Sequence, residues 1–356
     1  YFFSILLSMN IFANIEMLKL DPGFKISIFA SDLDQPRQMI ESKNGTIFIG
    51  ERSGQIIALL DSDGNGQADS KRVIADDLTY STGVSIFEGD LYFSEISKIW
   101  KIQDIENWLQ KNSSGFPEKI LVTQDLPEDK WHGWKWLQHN AEGDIYTNVG
   151  APCNICISEN PQYASIIKLS DDNWEYVARG VRNSVGFDFH PETNKLYFGD
   201  NGRDWLGDNS PACELNRVDE DGLFYGFPYQ HALNVKDPEY GDLKSGYDYV
   251  DPILELGAHV APTGLAFYDG EMFPKKYKNN IFITLHGSWN RSKKVGYKVI
   301  RVVLDSSGDV VDTKDFISGW LDGEKVLGRP AAPLIISDGS LLISDDKANV
   351  IYRITY

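Results

Sequence analysis

Six short apolar segments recur along the chain, each opening with a Gly or Asn turn and often ending in an acidic residue. They occupy residues 45–51, 89–95, 143–149, 194–200, 279–285 and 339–345, with starts 44, 54, 51, 85 and 60 residues apart. One very apolar strand and several weaker ones within such a repeat are typical of propeller blades. The pattern therefore predicts an all-β six-bladed β-propeller. We expect the apolar segment to be the innermost strand of each blade, covered on both faces.

The repeats continue without a linker, which predicts a single six-bladed propeller domain over residues 20–356. We expect residues 24–29 to pair beside the C-terminal strand 350–356, because a shared blade would close the ring and remove exposed sheet edges. The longest departure from the repeat is 204–278. An ordered insertion of that size in a compact domain is usually functional.

The first residues, 1–17, form an apolar segment with the length of an export-signal core. We interpret it as the remnant of an export signal or lipoprotein leader, with an additional propeller strand as the alternative. Its length is too short for a comfortable membrane span. The expected location is periplasmic or secreted, with lipid anchoring left open and no membrane span in the mature chain.

The charge balance restricts the partners. Lys and Arg number 34 against 52 Asp and Glu, a formal net charge of −18. Nucleic-acid binding needs basic patches, so the composition argues against such partners. The excess of carboxylates is compatible with bound cations, although simple solubility accounts for most of it.

Three cysteines are present, and two of them, Cys153 and Cys156, are separated by two residues. In a cytosolic protein this spacing suggests redox or metal chemistry. A zinc ion would need two further ligands, which Cys213 alone does not supply. For an exported chain we predict a local disulfide between Cys153 and Cys156, with Cys213 free and buried.

Residues 61–69 place Asp61, Asp63, Asn65 and Asp69 at the first, third, fifth and ninth positions, with Gly66 at the sixth, as in the first part of a calcium loop. The twelfth position holds Arg72 instead of the usual bidentate Glu. A plain Asp/Gly hairpin turn is the alternative interpretation.

Polar, glycine-rich loops recur at the same end of successive predicted strands. They lie at 131–134, 178–186, 199–208, 286–291 and 328–330. Their convergence on the channel predicts one composite site. In it, His132 is a candidate general base because an imidazole titrates near neutrality, and the pair Arg182 and Asn183 suits an anionic or carbonyl-bearing ligand.

The amino-acid sequences of several loops resemble those of the soluble pyrroloquinoline-quinone-dependent sugar dehydrogenases, a family that includes sorbosone dehydrogenase-like enzymes and glucose and aldose dehydrogenases. The resemblance is closer to the sorbosone dehydrogenase-like branch than to the glucose enzymes. The similarity covers about residues 24–356. It rests on the segments 149–156, 179–183, 200–208, 286–291, 328–330 and 344–346. The resemblance implies a six-bladed propeller that holds pyrroloquinoline quinone and calcium over the channel mouth.

Residue roles follow from the resemblance position by position. It implies that His132 is the base, that Arg182 and Asn183 contact the quinone and that Arg329 pairs with a cofactor carboxylate. Arg291 stands in for a cofactor-binding lysine of the glucose enzymes. The carbonyls of Gly202 and Arg203 would bind the calcium ion, with Asp204 or Asp208 reaching the ion or ordering the loop. Arg203 replaces a proline, which a carbonyl ligand tolerates.

The expected activity is oxidation of an aldose or a sorbosone-like aldosulose, with electrons passed to an external acceptor. His132 would remove a hydroxyl proton while hydride passes to the quinone, and Arg182 would stabilise the oxyanion. Two alternatives remain open at this stage. One is a lactonase-like hydrolase with a channel metal held by Glu95, Asp200 and Asn201, and the other is a propeller that binds a glycan or a protein without catalysis.

Overall fold

The computed structural model describes residues 15–111, 114–170, 173–243 and 246–356. Of the predicted export segment, residues 15–17 form one short 3-10 turn, and the remainder lies outside the described residues. Within the described residues, no helix has the length and apolar character needed to cross a membrane.

The described chain consists of short strands joined by turns and loops. The first ten strands are β1 (Lys19–Leu20), β2 (Lys25–Ala30), β3 (Pro36–Glu41), β4 (Ile47–Glu51), β5 (Ile56–Leu60), β6 (Ser70–Ala75), β7 (Val84–Phe87), β8 (Asp90–Ser94), β9 (Ile99–Ile102) and β10 (Ile120–Thr123). The next ten are β11 (Leu137–His139), β12 (Ile145–Val149), β13 (Ser165–Ser170), β14 (Asn173–Arg179), β15 (Phe187–Phe189), β16 (Leu196–Asp200), β17 (Ala212–Arg217), β18 (Leu223–Phe224), β19 (Gln230–His231) and β20 (Val235–Lys236). The last ten are β21 (Leu254–Ala258), β22 (Pro262–Phe267), β23 (Ile281–Leu285), β24 (Lys298–Leu304), β25 (Val310–Ser318), β26 (Leu321–Asp322), β27 (Lys325–Val326), β28 (Pro330–Ile335), β29 (Leu341–Asp345) and β30 (Val350–Thr355). The helical elements are α1 (Ile105–Gln110) and the 3-10 turns Ile15–Met17 and Lys275–Tyr277.

Six sheets, antiparallel apart from the β14–β18 pair, form the blades of a β-propeller, which confirms the predicted fold. Their strand orders are β3-β4-β5-β6, β7-β8-β9-β10, β11-β12-β13-β14-β18, β15-β16-β17-β21, β22-β23-β24-β25-β1 and β28-β29-β30-β2, numbered here as blades 1 to 6. The first strand of each blade lies beside the first strand of a neighbouring blade around the central channel. Two small hairpins, β19-β20 and β26-β27, lie outside the blades.

The recurring apolar segments are the second strands of the blades, so their predicted innermost position is wrong. These strands are β4, β8, β12, β16, β23 and β29. A second strand has a hydrogen-bonded neighbour on each edge and an adjacent blade against each face, and β4 and β12 are buried at every residue. An inner strand has one edge on the channel, where polar side chains are tolerated. Continuous apolar sequence therefore marks the second strand.

The ring closes as predicted. Strand β2 runs antiparallel to β30 and completes blade 6, with Lys25 opposite Thr355 and Ile28 opposite Tyr352. A strand from the start of the described chain thus covers the outer edge left by the last strand. Closure removes the free edges that an open array of blades would leave near its two ends.

The channel has two mouths, which differ in how the chain turns there. At the lower mouth, short turns join the inner strand to the second strand in five blades, and in blade 5 the longer connection 268–280 does so. The repeated Gly and Asn residues of these turns, which are Gly45, Gly89, Gly143, Asn194, Asn279 and Gly339, all have positive φ. At the upper mouth, loops of varied length precede the inner strands and follow the second strands. The region 204–278 belongs partly to these loops, and its strand β18 pairs in parallel with β14 of blade 3.

Candidate active site

A cavity of about 400 Å³ opens at the upper mouth. Loops from successive blades contribute its walls, as the recurrence of polar loops in the sequence predicts. Of the predicted site residues, the structure brings His132, Arg182, Asn183, Gly202, Asp204 and Arg329 to this cavity. Arg203, Asp208 and Arg291 are not among the described residues that line it.

His132 lies in the loop before β11, with its Nδ1 2.8 Å from the carbonyl oxygen of Ala151. A carbonyl only accepts, so Nδ1 carries the proton and Nε2 of the neutral ring keeps its lone pair. Burial, together with the positive charge of Arg182, lowers the pKa of His132 to about 3, against the opposing effect of the hydrogen bond to the Ala151 carbonyl. The imidazole is therefore neutral across the physiological pH range and able to accept a proton at Nε2.

Gly150 makes room for this histidine. A Cβ atom at position 150 would lie 2.6 Å from Cβ of His132, 2.8 Å from its carbonyl oxygen and 3.0 Å from Oδ1 of Asn183. Side chains do not approach backbone and side-chain atoms so closely. The glycine that directly follows β12 therefore allows His132 and Asn183 to lie side by side.

Arg182 is almost fully enclosed, and its hydrogen bonds fix the guanidinium plane. Nε donates to the carbonyl of Asn154 at 2.9 Å, Nη1 to that of Asn201 at 3.0 Å and Nη2 to Oδ1 of Asn154 at 2.9 Å. A longer contact of 3.4 Å joins Nη2 to Asp204. Because a guanidinium has five N–H groups, one N–H on Nη1 stays available to a ligand. Burial lowers the pKa of Arg182, and the nearby Asp204 opposes that shift.

The turn that carries Arg182 and Asn183 is held by a buried carboxylate, Asp200 at the end of β16. Its Oδ2 accepts from the backbone N–H of Arg182 at 2.8 Å, and its Oδ1 accepts from that of Asn183 at 2.7 Å. Burial raises the pKa of Asp200, and these N–H groups oppose the shift. Oδ1 of Asn183 lines the same space and has no partner among the described residues. It is an acceptor available to a bound molecule.

The loop after β16 offers oxygen atoms of the kind that calcium prefers. Asp204 is buried beside the cavity, and its Oδ1 accepts from Nδ2 of Asn290 at 2.7 Å. In this stretch of the described chain, the carbonyls of Asn201 and Asp204 accept hydrogen bonds, whereas those of Gly202 and Arg203 accept none. The two carbonyls predicted as calcium ligands are thus free of protein donors.

Three predicted site residues have other partners. The Arg203 side chain turns away and pairs through Nη1 with Oδ2 of Asp237 at 2.5 Å. Oδ1 of Asp208 accepts from the backbone N–H of Ser292 at 3.0 Å, on the outer surface. Nη2 of Arg291 donates to Oδ1 of Asn209 at 2.9 Å. The Arg203 side chain therefore does not line the cavity, and Asp208 and Arg291 tie the loops at its rim.

Opposite His132, a second cationic group gathers around one carboxylate, Asp346. Nη2 of Arg37 lies 2.7 Å from its Oδ2, Nη1 of Arg52 lies 3.9 Å from the same oxygen, and Nε2 of His286 lies 2.8 Å from Oδ1. Burial alone would raise the pKa of Asp346, but Arg37 and His286 outweigh it and hold the pKa well below its usual range. Burial lowers the pKa of His286 to about 4 despite this carboxylate.

Positive charge exceeds negative charge in this cluster. Arg329 donates from Nε to the His286 carbonyl at 3.1 Å and from Nη2 to the Gly287 carbonyl at 2.7 Å. Cζ of Arg37 and Cζ of Arg52 lie over the Trp134 ring, 4.4 and 4.1 Å from a ring centroid. Burial lowers the pKa of Arg37 to about 10, with the opposing effect of Asp346 and the smaller lowering effects of the Arg52 and Arg329 charges included. The cluster therefore has a net positive charge that a bound anion would neutralise.

Sequence reasoning missed Arg37, Arg52, Trp134 and Asn154 as site residues. A usable signal existed for Arg52, which directly follows the first recurring segment, as Asn201 follows the fourth and Asp346 the sixth. Arg37 lies at the start of an inner strand, like Arg329 just before β28. Nothing in the sequence marks Asn154, because its partners are brought near only by the fold.

Left-handed backbone also occurs in the loops of the upper mouth. The non-glycine residues with positive φ include His132 (52°), Trp205 (70°), His259 (64°) and Ala261 (57°) there. Residues with a side chain rarely adopt this conformation, and where they do, it is often at functional sites.

The remaining predictions concern the cysteines and the acidic hairpin. Cys153 and Cys156 form a disulfide, and Cys213 is free and buried, as expected. Asp61, Asp63 and Asp69 bring their carboxylates together on the exposed β5–β6 hairpin, where Asp61 also accepts from the backbone N–H groups of Asn65 and Gly66. Calcium binding there stays a prediction. Within the described residues, Asp61, Asp63 and Asp69 are the group of His, Cys, Asp or Glu side chains whose ligand atoms lie close enough together, within 4.8 Å of one another, to bind one metal ion.

Comparison with known proteins places the chain in a family. The TrAA12-like family matches residues 18–320. The chain belongs to the TrAA12-like family. A Borreliella burgdorferi protein described only as uncharacterized is 36% identical over 352 residues, covering 95% of this chain and 91% of that protein. The expected kinship with soluble quinoprotein sugar dehydrogenases is confirmed at the level of family and fold.

Other relatives are more distant. A pyrroloquinoline quinone-dependent pyranose dehydrogenase of Coprinopsis cinerea is 22% identical over 328 residues, and the match covers 79% of this chain but only 44% of that protein. The holo form of its PQQ domain superposes with a TM-score of 0.78 at 18% identity, covering 95% and 97% of the two chains. The calcium structure of the Trichoderma reesei AA12 enzyme gives 0.78 at 17% identity, covering 95% and 96%. At these identities the structural likeness establishes the propeller fold.

Proposed function

We propose that this protein is a quinoprotein sugar dehydrogenase that uses pyrroloquinoline quinone and calcium at the upper mouth. The observation that carries the proposal is the pairing of a neutral, accessible imidazole nitrogen on His132 with a cluster of buried guanidinium groups around the same cavity. A base and an anion site in one enclosed space are what hydride abstraction with a polyanionic redox cofactor requires. The family and the named relatives support it.

The cationic residues fit the cofactor. Arg37, Arg52 and Arg329 would hold its carboxylates, since a bound anion would relieve the crowding of desolvated positive charge around Asp346. Buried Nε atoms of Arg37 and Arg52 and Oδ1 of Asn183 lack partners among the described residues. Such orphaned groups are costly unless a ligand pairs with them.

The loop after β16 fits calcium. The carbonyls of Gly202 and Arg203 and the carboxylate of Asp204 would supply hard oxygen ligands beside the cavity. A Trichoderma reesei family member has a calcium structure, which supports the same ion here. When bound, the quinone would supply a hydride acceptor for the sugar carbon, and calcium would supply Lewis-acid chemistry.

The protein's own part in the reaction is to orient the sugar and to move a proton. Nε2 of His132 takes the proton from the hydroxyl on the reacting carbon, while the Nδ1–H bond to Ala151 holds the ring in the required tautomer. The fixed charge of Arg182, with one uncommitted Nη1–H, stabilises negative charge that develops on oxygen. Asn154 and Asp200 keep that guanidinium and its main chain in place.

The finer assignments rest on the resemblance to the soluble quinoprotein sugar dehydrogenases. We propose an aldose or a sorbosone-like aldosulose as the substrate and an external carrier as the electron acceptor. The Cys153–Cys156 disulfide supports a periplasmic or secreted location. The lactonase-like alternative is not favoured, because both oxygens of Asp200 accept from backbone N–H groups, and Glu95 accepts from Trp100 and Thr79 outside the cavity.

The test is an absorption titration of the purified protein with pyrroloquinoline quinone, with calcium or with a chelator, followed by a panel of aldoses and sorbosone. We expect calcium-dependent binding and sugar-driven bleaching of the quinone. Sugar added to the calcium-loaded protein without quinone is the control and should cause no redox change. Failure to bind the quinone with calcium present would refute the proposal and favour a binding propeller.

A further inference from the structure

Two indole rings stand in solvent at the rim of the upper-mouth cavity. Trp205 is 69% exposed and Trp289 is 65% exposed, although tryptophan is on average among the well-buried residue types. Their ring centroids are 5.5 Å apart and their planes meet at 89°. We call this pair the tryptophan corner. Trp289 also lines the cavity, so the corner begins at the reaction site and leads outward.

The backbone under the corner is strained. Trp205 has φ of 70°, in the left-handed region that a bulky residue rarely adopts. This conformation costs free energy, and the cost is not offset by packing, because the large apolar ring points into water and buries little surface. Strain that is maintained without a gain in packing is typical of binding and catalytic positions.

The corner is also rigid. The loops that carry the two rings are tied by Asn290 Nδ2 to Asp204 Oδ1 at 2.7 Å, Ser292 N to Asp208 Oδ1 at 3.0 Å and Arg291 Nη2 to Asn209 Oδ1 at 2.9 Å. A fourth contact of 2.8 Å joins Nε2 of His259 to the Gly207 carbonyl. The exposure of the rings is therefore a fixed feature of the fold. Binding of a ligand would cost little conformational entropy at these two side chains.

The chemistry around the corner suits a sugar ring. A pyranose presents faces of C–H groups that pack on an indole, and hydroxyl groups at its edge that bond to planar polar side chains. Oδ1 of Asn290 and Nε of Arg291 are buried next to the corner and have no partner among the described residues. Two rings form a patch far smaller than the several hundred Å² typical of protein docking surfaces.

We propose that the tryptophan corner is a subsite for a second sugar ring, and that the preferred substrate is a saccharide longer than one unit. This inference rests on the proposed sugar oxidation. The reacting unit would lie at His132, and the neighbouring unit would pack against Trp289 and Trp205. Removing one indole should then weaken the recognition of long substrates much more than that of single sugars.

The test compares kcat/KM for glucose with that for α-1,4- and β-1,4-linked trisaccharides of glucose, in the quinone- and calcium-loaded enzyme. The variant is Trp205→Ala, and the matched control is Phe116→Ala, which removes a ring that is 53% exposed and outside the cavity. We expect a trisaccharide-to-glucose ratio of about ten or more, falling about tenfold in Trp205→Ala and unchanged in Phe116→Ala.

A second measurement separates the two proposals. Quenching of tryptophan fluorescence by the trisaccharides is followed in the protein without quinone, for the wild type and Trp205→Ala. Quenching that the substitution abolishes supports the subsite even if no sugar is oxidised, in which case the dehydrogenase proposal alone fails. Oxidation of glucose with an unaltered ratio and no quenching overturns the subsite and leaves the dehydrogenase proposal standing.

Discussion

The two mouths of the channel differ in chemistry more than in size. The lower mouth holds the larger cavity, about 590 Å³ against about 400 Å³ above. Among the described residues, no arginine or lysine lines the lower cavity, whereas Arg37, Arg52, Arg182 and Arg329 line the upper one. The lower cavity has a buried carboxyl, Asp188, which already accepts three hydrogen bonds and whose pKa burial raises to about 6.

The difference follows from the turns. Tight turns with left-handed Gly or Asn leave no room for long side chains to converge, so the lower mouth is lined mainly by strand residues. Loops at the upper mouth vary in length, and each holds a charged or amide side chain by several hydrogen bonds. Volume alone therefore does not identify the site; fixed cations and polar atoms without partners do.

One histidine at each mouth gives the sharpest test of this comparison. His132 above and His139 below both have a pKa lowered by burial, to about 3 and about 4. Nδ1 of His132 is held by a carbonyl, whereas Nδ1 of His139 lies 2.9 Å from Oγ of Ser85 and its ring stacks on Phe87. The first is arranged as a base with a free Nε2 at the cavity, and the second as part of the packing.

The largest expected effect is that of His132→Ala. We expect kcat to fall about 10³-fold with quinone affinity retained, since the general base is lost while the arginines remain. His139→Gln, at the other mouth, should leave kcat within about twofold. Stopped-flow bleaching of the bound quinone measures kcat in both variants, and absorption titration measures their affinity for the quinone. A His132→Ala enzyme with near-normal turnover would remove this residue from the role of base.

A smaller effect is expected on cofactor affinity from Arg329→Gln. Loss of one charge-assisted contact should raise the quinone Kd about tenfold to a hundredfold. Arg353→Gln is the matched control, because Arg353 pairs with Asp338 in blade 6 away from the upper cavity. Calorimetric titration with calcium present measures both. An equal loss of affinity in the two variants would mean that the effect is general and not local to the cationic cluster.

The smallest effect concerns pH. A base works in its neutral form, so activity is lost as the pH falls through its pKa, and a His at the ordinary value would fail near pH 6.5. Because the pKa of His132 lies well below that value, kcat should stay level between about pH 5 and 8.

Arg182→Gln should move the acid limb of this profile to higher pH, because its charge is one of the causes that lower the pKa of His132. Circular dichroism at each pH separates loss of activity from unfolding. A wild-type limb near pH 6.5 would contradict the inferred environment of His132, as would an unchanged limb in the variant.

The sequence alone determined the blade count, the ring closure and the family. Each of these depends on local features that repeat: a left-handed turn residue such as Gly45 or Asn194, followed by a strand that must be apolar because blades cover both its faces. The amino-acid sequences of the loops also indicated His132, Arg182, Asn183 and Arg329, because these loops lie at the same end of the predicted strands.

Only the tertiary structure decided which residues share the cavity and in what state. Asn154 reaches Arg182, Asp346 gathers Arg37 and His286, and Trp205 meets Trp289 across gaps of many residues. The predicted contact Arg291 lies at the rim instead, and the apolar strand lies second in its blade rather than innermost. Through-space distances set burial, tautomer and pKa, and no local sequence pattern encodes a distance between loops of different blades.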